Sequence, residues 1–483
     1  MPEDRPNVLW ITTDQQRFDT LGCYGNDWVS TPNLDELASR GVRFERAYCQ
    51  SPVCTPSRAS FLTGRYPRTT RCRSNGFPIP EEEVLVPRLL TEAGYRCGLS
   101  GKLHLSPFNT TETDPAVEEP ARRIDDGYAS FHWSPSPPSK FHAPTNEYEQ
   151  WLTRQGVEFE RESIAESEYA TTSVPAEYHQ TTWCVDRAVD FVETMGRREA
   201  GRPWLFSVNV FDPHLAFDPP EAYLEPYLDR LEEVPLPNYE AGELDDKPAA
   251  QRVQSEDDWF HFAEMDDADH RAVRAAYWAM VDLIDDQVGR LLDALDESGQ
   301  RDETLVVFMS DHGELLGDHG MYTKGPFFYE PSVRVPLVFE GPGVAEGVET
   351  DALVELVDLA PTLLEAAGVD RPLGMQARSL WPLLRGEADE GRDAVYSEYY
   401  VDQHPASDDA EQLLTMVRTD RYKLVRSHAT GEGELYDLDA DPTETTNRWD
   451  DPEYAEAKTD LLTTLTDRMA ETVDPRPEKQ ESW

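Results

Sequence analysis

A few short stretches carry residue types whose spacing could do chemistry. Cys54-Thr55-Pro56-Ser57-Arg58, continued by Ala59-Ser60-Phe61-Leu62-Thr63-Gly64-Arg65, sets a thiol beside a helix start. Thr55 is a good N-cap, Pro56 suits the first helical position and Gly64 a C-terminal stop, so a helix is predicted to open just after Cys54. Free N–H groups and the positive end of the helix dipole favour an anion there. Arg58, one turn on, adds a planar fork of donors. A lone Cys in such a place is ordinarily a small buried hydrophobe. Further polar pairs occur at Asp14-Gln15, Lys102-x-His104, Pro213-His214 and Asp311-His312, with Lys324 beyond the last. Acidic and amide groups at the C-terminal end of a buried strand suit a ligand site; Asp is equally common in plain turns. The chain strongly prefers Arg over Lys, yet keeps Lys at 102 and 324. An ammonium is a compact point charge and a proton donor, which Arg is not.

The elements that position these groups follow from periodicity. Asn7–Thr13, Val42–Cys49, Tyr95–Leu99, Pro203–Phe211, Thr304–Ser310 and Val333–Phe339 are apolar, β-branched runs that read as buried strands. Asp14, His214 and Asp311 each lie just after one of them. Helical stripes are expected at about 84–93, at 178–195 and, with three- and four-residue steps, at 270–295. Strands alternating with helices predict an α/β fold with a large, mainly parallel sheet covered on both faces. Two acidic stretches, about 108–176 and 217–269, read as surface excursions. After Gly386 the pattern changes. Ala394–Tyr400, Leu413–Arg418, Tyr422–Arg426 and Glu434–Leu438 predict a small antiparallel sheet, and 454–469 one helix. The division expected is a catalytic domain over 1–386 and a small α+β subdomain over 387–483.

The wording Cys54-x-Pro56-Ser57-Arg58-Ala59-Ser60-x-Leu62-Thr63-Gly64-Arg65 resembles the signature of the type I sulfatases, complete through Arg65. Gly433-Glu434-Leu435-Tyr436-Asp437-Leu438 is similar to the family's small second domain, so the resemblance spans nearly the whole chain. It implies an alkaline-phosphatase-like fold and hydrolysis of a sulfate ester, with Cys54 oxidised to formylglycine by a maturation enzyme. It also implies one divalent cation held by Asp14, Gln15, Asp311 and His312, with residue 54 as a further ligand. Oxygen-rich ligation puts Ca²⁺ first, with Mg²⁺ next; the His312 nitrogen admits Mn²⁺. The Asp-Gln and Asp-His pairs resemble the choline-sulfatase-like and phosphonate-monoester-hydrolase-like branches. By the same resemblance Arg58 and Lys102 hold the nucleophile, His214 and Lys324 bind the sulfate and protonate the leaving oxygen, and His104 removes a proton to release sulfate. His319 is a candidate for a supporting or a purely structural role. The alternatives are a phosphonate monoester or phosphodiester hydrolase on the same scaffold, and a non-catalytic binding protein with Cys54 unmodified. Asp14 and Asp311 should bring their carboxylates within roughly 6 Å of each other if one Ca²⁺ joins them.

Composition sets outer bounds. The 483 residues hold 44 Lys and Arg against 94 Asp and Glu, a net charge of −50. Such a chain is repelled by nucleic acid and by anionic membranes; the family resemblance implies a small-molecule or carbohydrate sulfate ester as substrate. An acidic, Lys-poor surface suits solubility at very high salt, or else reflects acidic loops alone. The six cysteines form no CxxC pair and suggest neither a metal cage nor a disulfide framework. The first residues show no apolar core of a signal peptide, and no apolar run is long enough to span a bilayer, so a cytoplasmic location is expected.

Overall fold

In the computed structural model, residues 5–106, 123–138, 146–164, 167–199, 201–257, 260–401 and 412–476 are described. The parts of the two predicted excursions at 108–122, 139–145, 165–166 and 258–259 lie outside them. The central sheet is built from Asn7–Thr13 (β1), Val42–Phe44 (β2), Arg96–Gly101 (β3), Ser130–Trp133 (β4), Trp204–Asn209 (β5), Thr304–Ser310 (β6), Leu337–Glu340 (β7) and Val348–Thr350 (β8). Its order is β8-β2-β7-β6-β1-β5-β3-β4. β7 runs antiparallel to both its neighbours; the remaining pairings are parallel.

β1 is buried along its whole length. Val8 and Trp10 join one apolar cluster, Leu9 and Ile11 the other, so both sheet faces are covered. That two-sided burial is why parallel strands read as continuous apolar runs. One face packs on Pro32–Ser39 (α1), Gln180–Arg198 (α3) and Asp267–Glu297 (α4). The other packs on Cys54–Thr63 (α2). α4 starts earlier than its stripe predicts because Asp266 and Asp269 form a capping box.

Two predicted strands are each split. Val42–Cys49 divides into β2 and Ala47–Tyr48, and Val333–Phe339 into Arg334–Val335 and β7. Pro336, which lacks an N–H, sits at the second break. The outer pieces leave the main sheet and form a three-stranded sheet in which Ala47–Tyr48 lies between Arg334–Val335 and Val354–Glu355.

The C-terminal region is as expected: Val395–Val401 (β9), Gln412–Arg418 (β10), Tyr422–Ser427 (β11) and Gly433–Asp437 (β12) pair antiparallel in chain order, followed by the helix Ala455–Glu471 (α5). Leu461 and Leu465 of α5 share an apolar cluster with Val8 and Trp10. The excursions contribute more than a surface. Ser130–Trp133 of the first is the edge strand beside β3. Lys247 of the second is buried and donates to the Tyr436 hydroxyl at 3.0 Å and to the Glu444 carbonyl at 2.7 Å.

Candidate active site

The helix α2 opens at Cys54 itself, with Val53 as its cap, so Thr55 lies inside the first turn instead of capping it and Pro56 is the third helical residue, not the first. Pro is tolerated there because first-turn N–H groups have no partner within the helix. Gly64 closes the helix at φ 69°, as predicted. A Cβ there would come within 2.5 Å of Met375 Cγ. Every residue from Cys54 to Thr63 is buried.

Four adjacent parallel strands, β6-β1-β5-β3, end facing this helix start. They deliver Asp311-His312, Asp14-Gln15, His214 and Lys102-x-His104 in turn. Asp14, Cys54, Asp311 and His312 offer ligand atoms that all lie within 4.8 Å of one another. The two carboxylates therefore meet as expected, across about 300 residues of chain. Cys54 Sγ lies 3.1 Å from His312 Nε2 and 3.7 Å from Asp14 Oδ1. His312 directs Nδ1 to the Gly313 carbonyl at 2.9 Å, which leaves Nε2 facing the cluster.

Cations clamp the two carboxylates. Arg58 Nε donates to Asp311 Oδ2 at 2.8 Å and Nη2 to Asp14 Oδ2 at 3.3 Å, while Nη1 reaches the Lys102 carbonyl at 2.7 Å. Lys102 pairs with Asp14, and its Nζ is 3.6 Å from Cys54 Sγ. Burial and the Cys54 thiolate push the Asp14 carboxyl up, but Lys102, His214 and Arg58 prevail and hold it below the ordinary range. Cys54 is also pulled far down: burial opposes its charge, and Lys102, Lys324 and His312 overcome that.

These residues form a buried floor. His104, His214 and Lys324 are half-buried and stand at its rim. Lys324 Nζ lies 3.3 Å from Cys54 Sγ, 3.0 Å from His214 Nε2 and 2.5 Å from Gln15 Oε1. His214 turns Nδ1 to the Leu215 carbonyl at 2.7 Å. Burial, then Lys324, lowers the His214 pKa; burial, then Lys102, lowers that of His104. Both rings are thus held neutral near pH 7.

All the predicted site residues converge on Cys54. His319 does not join them: it stacks 3.7 Å above Tyr329 and meets Glu243 at 2.5 Å. Arg65, the last residue of the signature, works structurally, pairing with Glu83 at 3.0 Å and Asp474 at 2.8 Å. Three supporting residues escaped the sequence reading. Ser57 donates to the Asp311 carbonyl at 2.6 Å, and Asn209 to the Lys102 carbonyl at 3.0 Å. Glu314 accepts from the Gln15 side chain. Ser57 lies within the Cys54–Arg65 stretch and Glu314 two residues after His312, which was the available signal.

Such a sheet, with a helix start and two strand-end carboxylates at its C-terminal edge, defines an alkaline-phosphatase-like hydrolase. The chain belongs to the sulfatase family: the family's profile, "Sulfatase", matches residues 6–369, and that of "N-sulphoglucosamine sulphohydrolase, C-terminal" matches 317–471. It is similar to an arylsulfatase of Clostridium perfringens, 30% identical over 468 residues that cover 94% of this chain and 92% of the relative. A choline-sulfatase of Rhizobium meliloti is 31% identical over 459 residues, covering 94% and 84%. Among solved structures, a phosphonate monoester hydrolase from Silicibacter pomeroyi superposes with a TM-score of 0.81 at 25% identity, covering 97% of this chain and 96% of the other. The chain is accordingly a sulfuric ester hydrolase. Among the described residues, no helix is long and apolar enough to cross a membrane.

Proposed function

We propose that Cys54 is matured to formylglycine and that Asp14, Gln15, Asp311, His312 and residue 54 hold one divalent cation, Ca²⁺ first and Mg²⁺ or Mn²⁺ next. The observation that carries this reading is the position of Cys54 Sγ, at once beside the buried ligand set and beside two ammonium groups. The residues fit such an ion: two carboxylate oxygens and an imidazole nitrogen converge, and Arg58 and Lys102 already balance the carboxylates. A cation and a formylglycine hydrate together supply Lewis acidity and a hydroxyl of lowered pKa.

The chain's own side chains do the rest. Arg58 fixes the spacing of Asp14 and Asp311. Lys102 and Lys324 flank residue 54 and attract the anionic ester. Lys324 Nζ stands on the open side, within hydrogen-bond reach of His214 Nε2. That pair is placed to protonate a leaving oxygen. His104, neutral and hydrogen-bonded to the Cys54 side chain, is placed to accept a proton there. In this reading residues 1–386 are the catalytic domain and 387–483 a small α+β subdomain.

The proposed substrate is a small-molecule or carbohydrate sulfate ester, in line with relatives named choline-sulfatase and N-acetylglucosamine-6-O-sulfatase. A second reading, phosphonate monoester or phosphodiester hydrolysis, is favoured by the structural likeness to the phosphonate monoester hydrolase. A cytoplasmic location is supported by six cysteines that are all unpaired. Side-by-side assays with aryl, choline and amino-sugar sulfates and a phosphonate monoester separate the readings. The peptide holding residue 54 should be about 18 Da lighter than its unmodified form. An unmodified peptide from active enzyme would overturn the formylglycine assignment.

A further inference from the structure

We infer that Glu314 is a positioning residue that sets which end of the Gln15 amide faces the cation site. This rests on the reading of Gln15 as a cation ligand. Gln15 is an unusual residue: it is fully buried and sits at φ 68°, in the left-handed region. Its backbone is pinned there by its own N–H, which donates to Asp311 Oδ1 at 3.0 Å, and by its carbonyl, which accepts from the Tyr277 hydroxyl at 2.6 Å. Its side-chain amide is then the one free choice, since an amide can turn over and exchange oxygen for nitrogen.

Two neighbours remove that choice. Lys324 is a donor only, and it meets Gln15 Oε1 at 2.5 Å. Glu314 offers its carboxyl oxygens as acceptors here, and Oε2 takes the Gln15 Nε2 hydrogen. Glu314 has no slack of its own. Its second oxygen, Oε1, accepts from the Leu316 backbone N–H at 2.9 Å. Position 314 therefore needs two acceptor oxygens at once. A Gln there has one. Leu316 N–H is fixed in the backbone and keeps that oxygen. The NH₂ of a Gln at 314 must then face Gln15 and invert its amide, which turns an NH₂ toward the cation and toward Lys324. An NH₂ group has no lone pair to give a metal.

The swap of partners makes the test. Purified full-length protein, stripped with chelator, is titrated calorimetrically with Ca²⁺ and with Mn²⁺, and folding is checked by circular dichroism. Glu314→Gln should weaken the tighter ion by about 10- to 100-fold, the usual effect of removing a partner of a metal ligand. Gln15→Glu alone sets two carboxylates face to face and should also bind poorly. Glu314→Gln combined with Gln15→Glu restores a donor facing an acceptor and keeps an oxygen toward the ion. It should recover most of the affinity, which a merely structural role for Glu314 would not allow. Gln15→Ala tests the underlying reading separately: unchanged affinity there removes Gln15 from the ligand set. If Gln15→Ala binds weakly while Glu314→Gln binds normally, the inference about Glu314 fails and the ligand reading stands. If Glu314→Gln folds too poorly to titrate, the double variant decides, and a folded double variant that does not regain affinity overturns the proposal.

Discussion

Replacing Arg58 with Met should make the protein depend on a divalent cation for its stability. Arg58 is 1% exposed and bridges Asp14 and Asp311, whose ligating oxygens are within 4.8 Å of each other. At an effective dielectric of 20, two like unit charges at that spacing repel by about 3.5 kcal/mol. Lys102 remains on Asp14 and offsets part of this, whereas Asp311 loses its guanidinium. Removing one partner of a buried ion pair ordinarily costs about 3–5 kcal/mol, so about 3 kcal/mol is the expected loss. In a chain of this size that is roughly a 3 °C fall in melting temperature. The fall should be full in excess chelator and should shrink to less than half in excess Ca²⁺, because the ion neutralises the same two carboxylates. The assay is thermal unfolding of wild type and R58M, each with chelator and with Ca²⁺. Salt at about 1 M shortens the screening length to about 3 Å and removes effects of Ca²⁺ on surface acids. An equal loss with and without Ca²⁺ would refute the reasoning, since Arg58 would then act through packing and not through the carboxylate pair.

Three further outcomes are expected. Cys54→Ala and Cys54→Ser should each abolish repeated turnover, measured as sulfate release, while leaving the melting temperature nearly unchanged, because the thiol lies among polar groups. Turnover near the wild-type rate in the Ser variant would rule out an aldehyde-derived nucleophile. Asp282 is pushed up from 3.8 to about 7, chiefly by burial, while accepting from Ser30 N–H at 2.7 Å and the Tyr227 hydroxyl at 2.8 Å. Its folded value exceeds the unfolded one, so its contribution is full below about pH 4 and is lost as pH rises through about 7, by up to about 4 kcal/mol. Asp282→Asn should flatten the decline in denaturant stability between pH 4.5 and 8 that wild type shows; an unchanged decline counts against this origin. With a net charge of −50, wild type should melt higher in about 2 M NaCl than in about 0.1 M, as screening relieves self-repulsion; a flat or falling trend would leave the acidic composition unexplained by salt.

The parts of this fold that were legible in the sequence are those where one physical demand dominates. β1 and β6 are buried on both faces and read directly as apolar runs. Ser130–Trp133 was missed because it is an edge strand, only half-buried, set in a polar stretch. The order β6-β1-β5-β3 was not legible at all, because alternation shows that strands exist and not which ones are neighbours. Yet that order is what brings Asp311, Asp14, His214 and Lys102 to one edge.

The lysines make the same point at the level of single residues. Their scarcity pointed to Lys102 and Lys324, and both reach Cys54. Lys247 and Lys423 were kept as well, and both are buried, as Lys102 is. Lys247 donates to Tyr329, Tyr436 and the Glu444 carbonyl, and Lys423 pairs with Glu330 at 2.8 Å and Glu444 at 2.7 Å. At these four positions a retained Lys therefore marks a place where a small, rotatable ammonium is needed, not chemistry as such. What separates the two pairs is the character of their partners. Lys247 and Lys423 meet oxygens that also hold the C-terminal sheet in place. Lys102 and Lys324 meet a sulfur atom at a helix start, beside two carboxylates whose charge is shared among several cations. Only the second kind of environment leaves a group free to react.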